Sequence, residues 1–377
     1  MPTSNSTFVN QAMSAAIVKA ARSTEITSVE RIQSLWSGYG EILRLHLEFG
    51  LHLKEGQHRS VVLKHIKLPQ PSEHPRGWNT DISHQRKLKS YRVETHWYQH
   101  FASRCDKYCP VPDCLLVEER DNETVLLLSD LAAAGFTEVK DSASQQDVHA
   151  CLSWLAHFHA TFLFRQPPQA LEASAYSVES SVHLQGAAQG LWQQGSYWHL
   201  DTRPDELATL GDGALKAAAP LIDQALNQCR FQTLIHGDAK LANFCFSPST
   251  ETLRGSSVAA VDFQYVGGGC GMKDVAYFLG SCLSDDECEA LEATLLDYYF
   301  GVLTAAVRQQ HPQINPAELE REWRSMFDVA WADFHRFLKG WSPDHWKLNS
   351  YSERLTQRVI KRFNNAAPLQ GASFDES

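Results

Sequence analysis

The chain has 377 residues, too many for one small hydrophobic nucleus and enough for two packed lobes or one large domain with insertions. Apolar residues at 43% and charged residues at 21%, with ten Trp, can bury real cores and do not describe a disordered chain. A net charge of −10 argues against a nucleic-acid partner, because neutralising phosphates needs a basic face.

In chain order, residues 1–22 have no charged start followed by an apolar run, and no stretch of about 18 apolar residues occurs anywhere. A soluble, cytoplasmic protein without membrane insertion is expected. From Thr27 to Lys67, the alternation in LRLHLEF (43–49) and the β-rich VVLKHIKL (61–68) predict a β-meander. Residues 69–84 carry three Pro and a Gly, a loop composition, and Lys87–Cys105 has helical spacing with Glu94 in its middle. The short basic patch Arg86, Lys87, Lys89, Arg92 falls here and reads as a solvated loop and helix start. Nine cysteines, with Cys105, Cys109 and Cys114 the densest group, form no CxxC pair and read as reduced thiols. CLLVEER and TVLLLSDL predict a hairpin turning at Asp121-Asn122. Downstream the pattern becomes helical, at 145–164, 211–229, 285–310, 316–339 and 351–365, with an irregular stretch at 166–210. His157 and His159 lie on a largely apolar helix and read as core or loop-contacting histidines, and Gly267–Gly269 as a turn. Trp331, Asp333, Phe334, Arg336 and Phe337 have helical spacing and read mainly as core packing.

The chemistry concentrates in LIHGDAKLANFCF (234–246) and VAAVDFQY (258–265). The first places His236, Asp238, Lys240 and Asn243 in a polar loop between apolar runs; the second delivers Asp262 as a buried strand ends. Phosphoryl transfer needs a carboxylate to orient the attacking hydroxyl and oxygen ligands for Mg²⁺. Asp238 suits the first task, Asn243 and Asp262 the second, and His236 a bracing role in the loop.

H-G-D-x-K-x-x-N followed by an apolar strand and D-F resembles the catalytic loop and metal-binding strand of the protein-kinase-like superfamily. The Gly after His236 points to the aminoglycoside phosphotransferase and choline kinase group, nearest the ecdysteroid-kinase-like proteins. The resemblance implies that Lys64 holds the α- and β-phosphates of ATP and that Glu94 pairs with it. It implies that Leu128, Ser129, Asp130 and Leu131 form the connector whose backbone contacts adenine, and that Asp274 anchors the catalytic loop. Lys240 matches a lysine that touches the transferred phosphate in protein kinases. The family's Gly-rich loop is thin here, Gly38-Tyr39-Gly40; the metal strand reads DFQ, and no activation-loop signature comes after it.

The expected architecture is a bilobal α+β protein-kinase-like fold. It comprises an N-terminal extension (1–26), a β-rich nucleotide lobe (27–128), a connector (129–135), a helical lobe with catalytic loop and acceptor site (136–365), and a frayed tail (366–377). The expected function is ATP- and Mg²⁺-dependent phosphorylation of a hydroxyl on a small molecule. The alternatives are a catalytically silent nucleotide-binding regulator and, less favoured, a protein kinase.

Overall fold

The computed structural model describes residues 10–35, 38–49, 59–67, 81–120, 123–165, 188–248 and 257–366. The chain divides into two compact units, one formed by residues up to Asp141 together with Ala242–Gln264, the other by Ser142–Leu241 and the chain from Tyr265 onward.

The first unit is built on alternation. Strands β1 (Glu25–Ser34), β2 (Gly40–Glu48) and β3 (Ser60–Lys67) form the expected antiparallel meander. Strands β4 (Cys114–Arg120) and β5 (Glu123–Ser129) complete a five-stranded sheet in the order β1-β2-β3-β5-β4. The Asp121-Asn122 turn lies outside the described residues. On one face, Leu43, Leu45, Val61, Leu63, Val125 and Leu127 are buried against Met13 and Ile17 of helix α1 (Gln11–Ala20). Each such side chain contributes roughly 1.5–3 kcal/mol on burial, so α1, within the segment expected to be an extension, belongs to the core of this unit. On the opposite face the period of two brings Ile66 and Lys64 out together. Ile66 packs with Tyr91 of helix α2 (Asp81–His100), and Glu94 comes three residues after Tyr91, hence on the same helix face. The helix starts at Asp81, inside the stretch expected to be loop, and a 3₁₀ turn at Ala102–Arg104 succeeds it.

A small second sheet joins β6 (Glu138–Val139), β9 (Phe244–Phe246) and β10 (Val258–Ala260). It draws Ala242–Gln264 into the first unit, although the sequence order placed that stretch within the helical lobe. Strand pairing, a non-local contact, decides this.

The second unit is mainly helical. Helix α3 (Gln145–Thr161) opens on a capping box between Ser144 and Asp147 and stops short of the expected Phe164. Phe164–Arg165 instead form β7, which pairs with β8 (Phe231–Ile235). Helices α4 (Pro204–Thr209) and α5 (Gly213–Asn227) lead into β8. Residues 267–269, expected as a turn, are strand β11, paired antiparallel with β8. Side chains are excluded there: a Cβ on Gly267 would run into Trp192 O, and one on Gly269 would come within 2.9 Å of Ile235.

Helices α6 (Met272–Cys282), α7 (Asp285–Gln310), α8 (Pro316–Arg324), α9 (Phe327–Trp341) and α10 (Ser350–Ala366) complete the unit. The single helix expected at 316–339 is two, because Ser325 N–H bonds back to Trp323 O and closes the first. By length and composition α7 could cross a membrane, with mean hydropathy 1.2 over its best window. Its capping box at Ser284 and Glu287, and its buried side carrying Leu295, Leu296, Tyr299 and Leu303 beside exposed acids, are those of an amphipathic core helix.

Candidate active site

Each unit carries part of the expected constellation. In the first, Lys64 Nζ lies 2.6 and 2.9 Å from the two oxygens of Glu94 and 3.5 Å from Asp262 Oδ1. Lys64 and Glu94 are buried, whereas the Asp262 side chain keeps 35% of its surface exposed. Burial disfavours the ammonium, yet the two carboxylates outweigh it and hold Lys64 above its ordinary pKa. Burial also pushes the Glu94 carboxyl up while Lys64 pulls it down. With both Glu94 oxygens within 2.9 Å of the ammonium, the charged pair is the arrangement that satisfies all three groups.

Asp262 sits just past β10 with φ of 67°, in the left-handed region that Asp tolerates better than most residues. The next two side chains in the chain hold it there. Phe263 stacks on Trp97 of α2 with ring centroids 4.6 Å apart and meets Tyr98 edge-on. Gln264, where protein kinases have Gly, accepts hydrogen bonds from Lys87 Nζ at 2.9 Å and Ser90 Oγ at 3.3 Å. The segment after β10 is thereby tied to the helix that presents Glu94, and Lys87 of the basic patch is drawn into this network. Asn243 is buried, and its carbonyl accepts the Val261 N–H, so the amide side chain and the Asp262 carboxylate issue from bonded neighbouring backbones.

The expected adenine connector is held by its own side chains. Asp130 accepts from Arg44 Nε at 2.8 Å, Ser60 Oγ at 2.7 Å and Ala132 N–H at 3.0 Å. Ser129 Oγ accepts the Asp113 N–H, Leu128 is buried, and Leu131 packs with Phe136 and Ala259. In Gly38-Tyr39-Gly40 both glycines have positive φ, but Tyr39 is buried and its hydroxyl meets His84 Nδ1 at 2.8 Å. This turn is fastened into the core.

In the second unit the loop that carries His236 and Asp238 leaves β8 and is pinned by Asp274 of α6. One carboxylate oxygen accepts the His236 N–H at 2.6 Å and the other the Gly237 N–H at 2.9 Å. His159 Nε2 completes the anchor at 3.1 Å, and its Nδ1 meets Tyr299 Oη at 2.7 Å, which fixes His159 as a core histidine. Gly237 has φ of 76°, and a Cβ there would run into Tyr265 O and come within 2.8 Å of Ser196 N. Only Gly fits this step of the loop. The Asp238 N–H donates to His236 Nδ1 at 3.3 Å, so the histidine braces the loop.

Asp238 itself is buried and oriented from both sides, by Tyr277 Oη at 3.1 Å on Oδ1 and Lys240 Nζ at 3.0 Å on Oδ2. Tyr197 Oη lies 3.4 Å from Tyr277 Oη. Burial, with the Asp238 charge adding to it, raises the pKa of both phenols, which keeps them neutral donors. Lys347, in the segment after α9, has its ammonium 5.2 Å from the Tyr277 ring; burial lowers its pKa to about 8.

Sequence reasoning passed over Tyr197, Tyr277 and Lys347, and it noted Gln264 only as a departure from the family pattern. Tyr277 had a signal, since it lies three residues after Asp274 and shares its helix face. Tyr197 and Lys347 are remote from the motif, and nothing local marks them. Among the described residues no group of three or more His, Cys, Asp or Glu could hold a metal ion. Asn243 and Asp262 supply an amide and a carboxylate oxygen, a donor set that fits hard Mg²⁺ when phosphates and water complete the shell.

Solved structures similar to the chain include a candidate aminoglycoside phosphotransferase from Ralstonia eutropha (12% identity, 93% of this chain and 94% of that one, TM-score 0.46). Others are a choline kinase from Cryptosporidium parvum (9%, 93% and 95%, TM-score 0.43) and a Plasmodium vivax ethanolamine kinase (11%, 90% and 84%, TM-score 0.41). No curated protein matches the sequence. The sequence model of the ecdysteroid kinase-like family matches residues 39–311, well over half the chain and the span that holds both halves of the constellation. The chain belongs to the ecdysteroid kinase-like family.

Proposed function

We propose that the chain is an ATP- and Mg²⁺-dependent phosphotransferase that moves the γ-phosphate of ATP to a hydroxyl of a small molecule. The observation that carries this reading is Asp238, a buried carboxylate oriented by Tyr277 and Lys240 on a loop fastened by Asp274. Asp238 accepts the hydrogen bond of the acceptor hydroxyl and points its oxygen lone pair at the γ-phosphorus. The new P–O bond forms as the bond to the bridging β,γ-oxygen breaks, and ADP leaves with that electron pair. The hydroxyl proton passes toward Asp238. Lys240 is placed to offset charge on the transferred phosphate, and His236 keeps the loop in register.

Lys64, steadied by Glu94, binds the α- and β-phosphates, while Leu128, Ser129, Asp130 and Leu131 offer backbone contacts to adenine. Asn243 and Asp262 would hold Mg²⁺, which would neutralise phosphate charge. The nine cysteines, all free in the structure, suit a reducing compartment, and the cytoplasm is the location we propose.

One observation favours a second reading, a nucleotide-binding regulator without catalysis: Tyr39, between the two glycines of the thin Gly-rich segment, is committed to the core. Equilibrium binding of ATP together with turnover on hydroxylated small molecules separates the two. Phosphotransfer predicts turnover that Asp238→Asn lowers by roughly 10²–10⁴-fold while ATP binding persists. Binding without turnover on any acceptor favours the regulator, and transfer to generic protein substrates favours a protein kinase.

A further inference from the structure

Lys347 is held in an unusual way for a half-buried lysine. Its ammonium lies 5.2 Å from the centroid of Tyr277, 5.6 Å from that of Phe334 and 5.5 Å from that of Trp346. Aromatic faces attract the charge but do not accept directed hydrogen bonds as oxygen does, so the three N–H donors of an ammonium stay available. Among the described residues no side chain or carbonyl forms a hydrogen bond or ion pair with Lys347 Nζ.

The place matters as much as the state. The ring beneath the ammonium belongs to the tyrosine whose hydroxyl donates to Asp238 Oδ1. The Asp238 charge reaches Lys347 and offsets part of its burial, while Lys240 acts in the opposite sense. Tyr277 touches both groups, so an acceptor whose hydroxyl rested on Asp238 would have the Lys347 ammonium, over the Tyr277 and Phe334 rings, as a neighbouring charge. A carboxylate or sulfate there gains charge-assisted hydrogen bonds. An ammonium meets like charge from Lys347 and Lys240.

We infer that Lys347 is a specificity-determining residue that selects acceptors bearing an anionic oxygen group beside the phosphorylated hydroxyl and rejects acceptors bearing an amine. The inference rests on the small-molecule phosphotransfer reading of the same site.

The test uses the full chain and three alcohols matched in skeleton and in the position of the C2 hydroxyl: 3-phenyllactate (anionic), 3-phenyl-1,2-propanediol (neutral) and 1-amino-3-phenylpropan-2-ol (cationic). The expected order of kcat/KM is anionic, neutral, cationic. In Lys347→Met the anionic-to-neutral ratio should fall roughly tenfold to hundredfold, and in Lys347→Glu the order should invert. A ratio internal to one protein cancels any loss of folded enzyme. A wild-type preference for the amine, or a ratio untouched in Lys347→Met, overturns the inference.

Should none of the three be phosphorylated, binding decides. The ¹³C-methyl signal of reductively methylated Lys347, assigned by its loss in Lys347→Met, is tracked during titration with each alcohol. Movement with phenyllactate alone, other lysine signals staying put, keeps the anion subsite while the phosphotransfer reading fails for these acceptors. No selective movement removes the subsite.

Discussion

The pair Lys64 and Glu94 makes a quantitative prediction about the first unit. Glu94→Leu takes both carboxylate oxygens, at 2.6 and 2.9 Å, from a lysine that is 5% exposed. Lys64 then keeps one carboxylate, Asp262 at 3.5 Å, whose side chain is 35% exposed, besides the Tyr91 ring at 5.8 Å. Removing one member of a buried ion pair costs about 3–5 kcal/mol, chiefly from the stranded charge, whereas replacing both members with apolar groups is often close to neutral. Since Asp262 recovers part of the loss, Glu94→Leu should sit near the lower end, about 3 kcal/mol. The double variant Lys64→Met/Glu94→Leu should lose less than about 1.5 kcal/mol. Native-state hydrogen exchange on peptides from β3 and α2 reads the opening free energy of these elements directly, apart from the second unit. A loss under about 1 kcal/mol in Glu94→Leu would refute the reasoning, as would a double variant equal to the sum of the two singles.

Asp274→Ala leaves the His236 and Gly237 N–H groups without their acceptor in a fully buried site; at about 1–3 kcal/mol each, β8 and the loop should lose roughly 2–6 kcal/mol in exchange experiments. Unchanged protection of residues 234–241 would contradict the anchor. Asp333 in α9 accepts from Trp198 Nε1 at 2.9 Å and Arg336 Nη2 at 2.6 Å, with Lys273 Nζ at 3.4 Å. Burial opposes its charge, but Arg336 and Lys273 prevail and bring its pKa from the ordinary 3.8 down to about 2. A depressed carboxyl stabilises above its unfolded value and loses that contribution as pH falls through the folded one. About 2 kcal/mol should therefore fade between pH 3.8 and about 2. Across that window the melting temperature should fall less steeply with falling pH in Asp333→Asn than in the wild type, and equal slopes of melting temperature against pH would contradict the assignment.

The constellation was legible because its chemistry is local. HGDAKLAN compresses four polar side chains into one loop between apolar runs, and VAAVDF ends a buried strand on a carboxylate. Lys64 and Glu94 needed a resemblance, since an isolated strand lysine and an isolated helix acid look like solvated residues. The features that escaped reading depend on pairing or on distance along the chain. The three glycines at 267–269 look like a turn until β8 supplies the partner whose close approach requires them. Ala242–Gln264 begins within the loop that carries His236 and Asp238, yet β9 pairs with both β10 and β6, and the stretch so joins the first unit. Tyr197 and Lys347 come from segments with no motif of their own and reach Asp238 and Tyr277 only through the packing of the second unit.

The central claim is that Asp238 orients an acceptor hydroxyl for phosphoryl transfer. The most direct test is Mg²⁺-dependent ATP consumption across choline, ethanolamine, aminoglycosides, sugars, sterols and hydroxy acids, run in parallel with wild type and Asp238→Asn. The account predicts turnover with at least one acceptor, lowered by roughly 10²–10⁴-fold in the variant although the variant still binds ATP; an acceptor phosphorylated equally well by both proteins would contradict it.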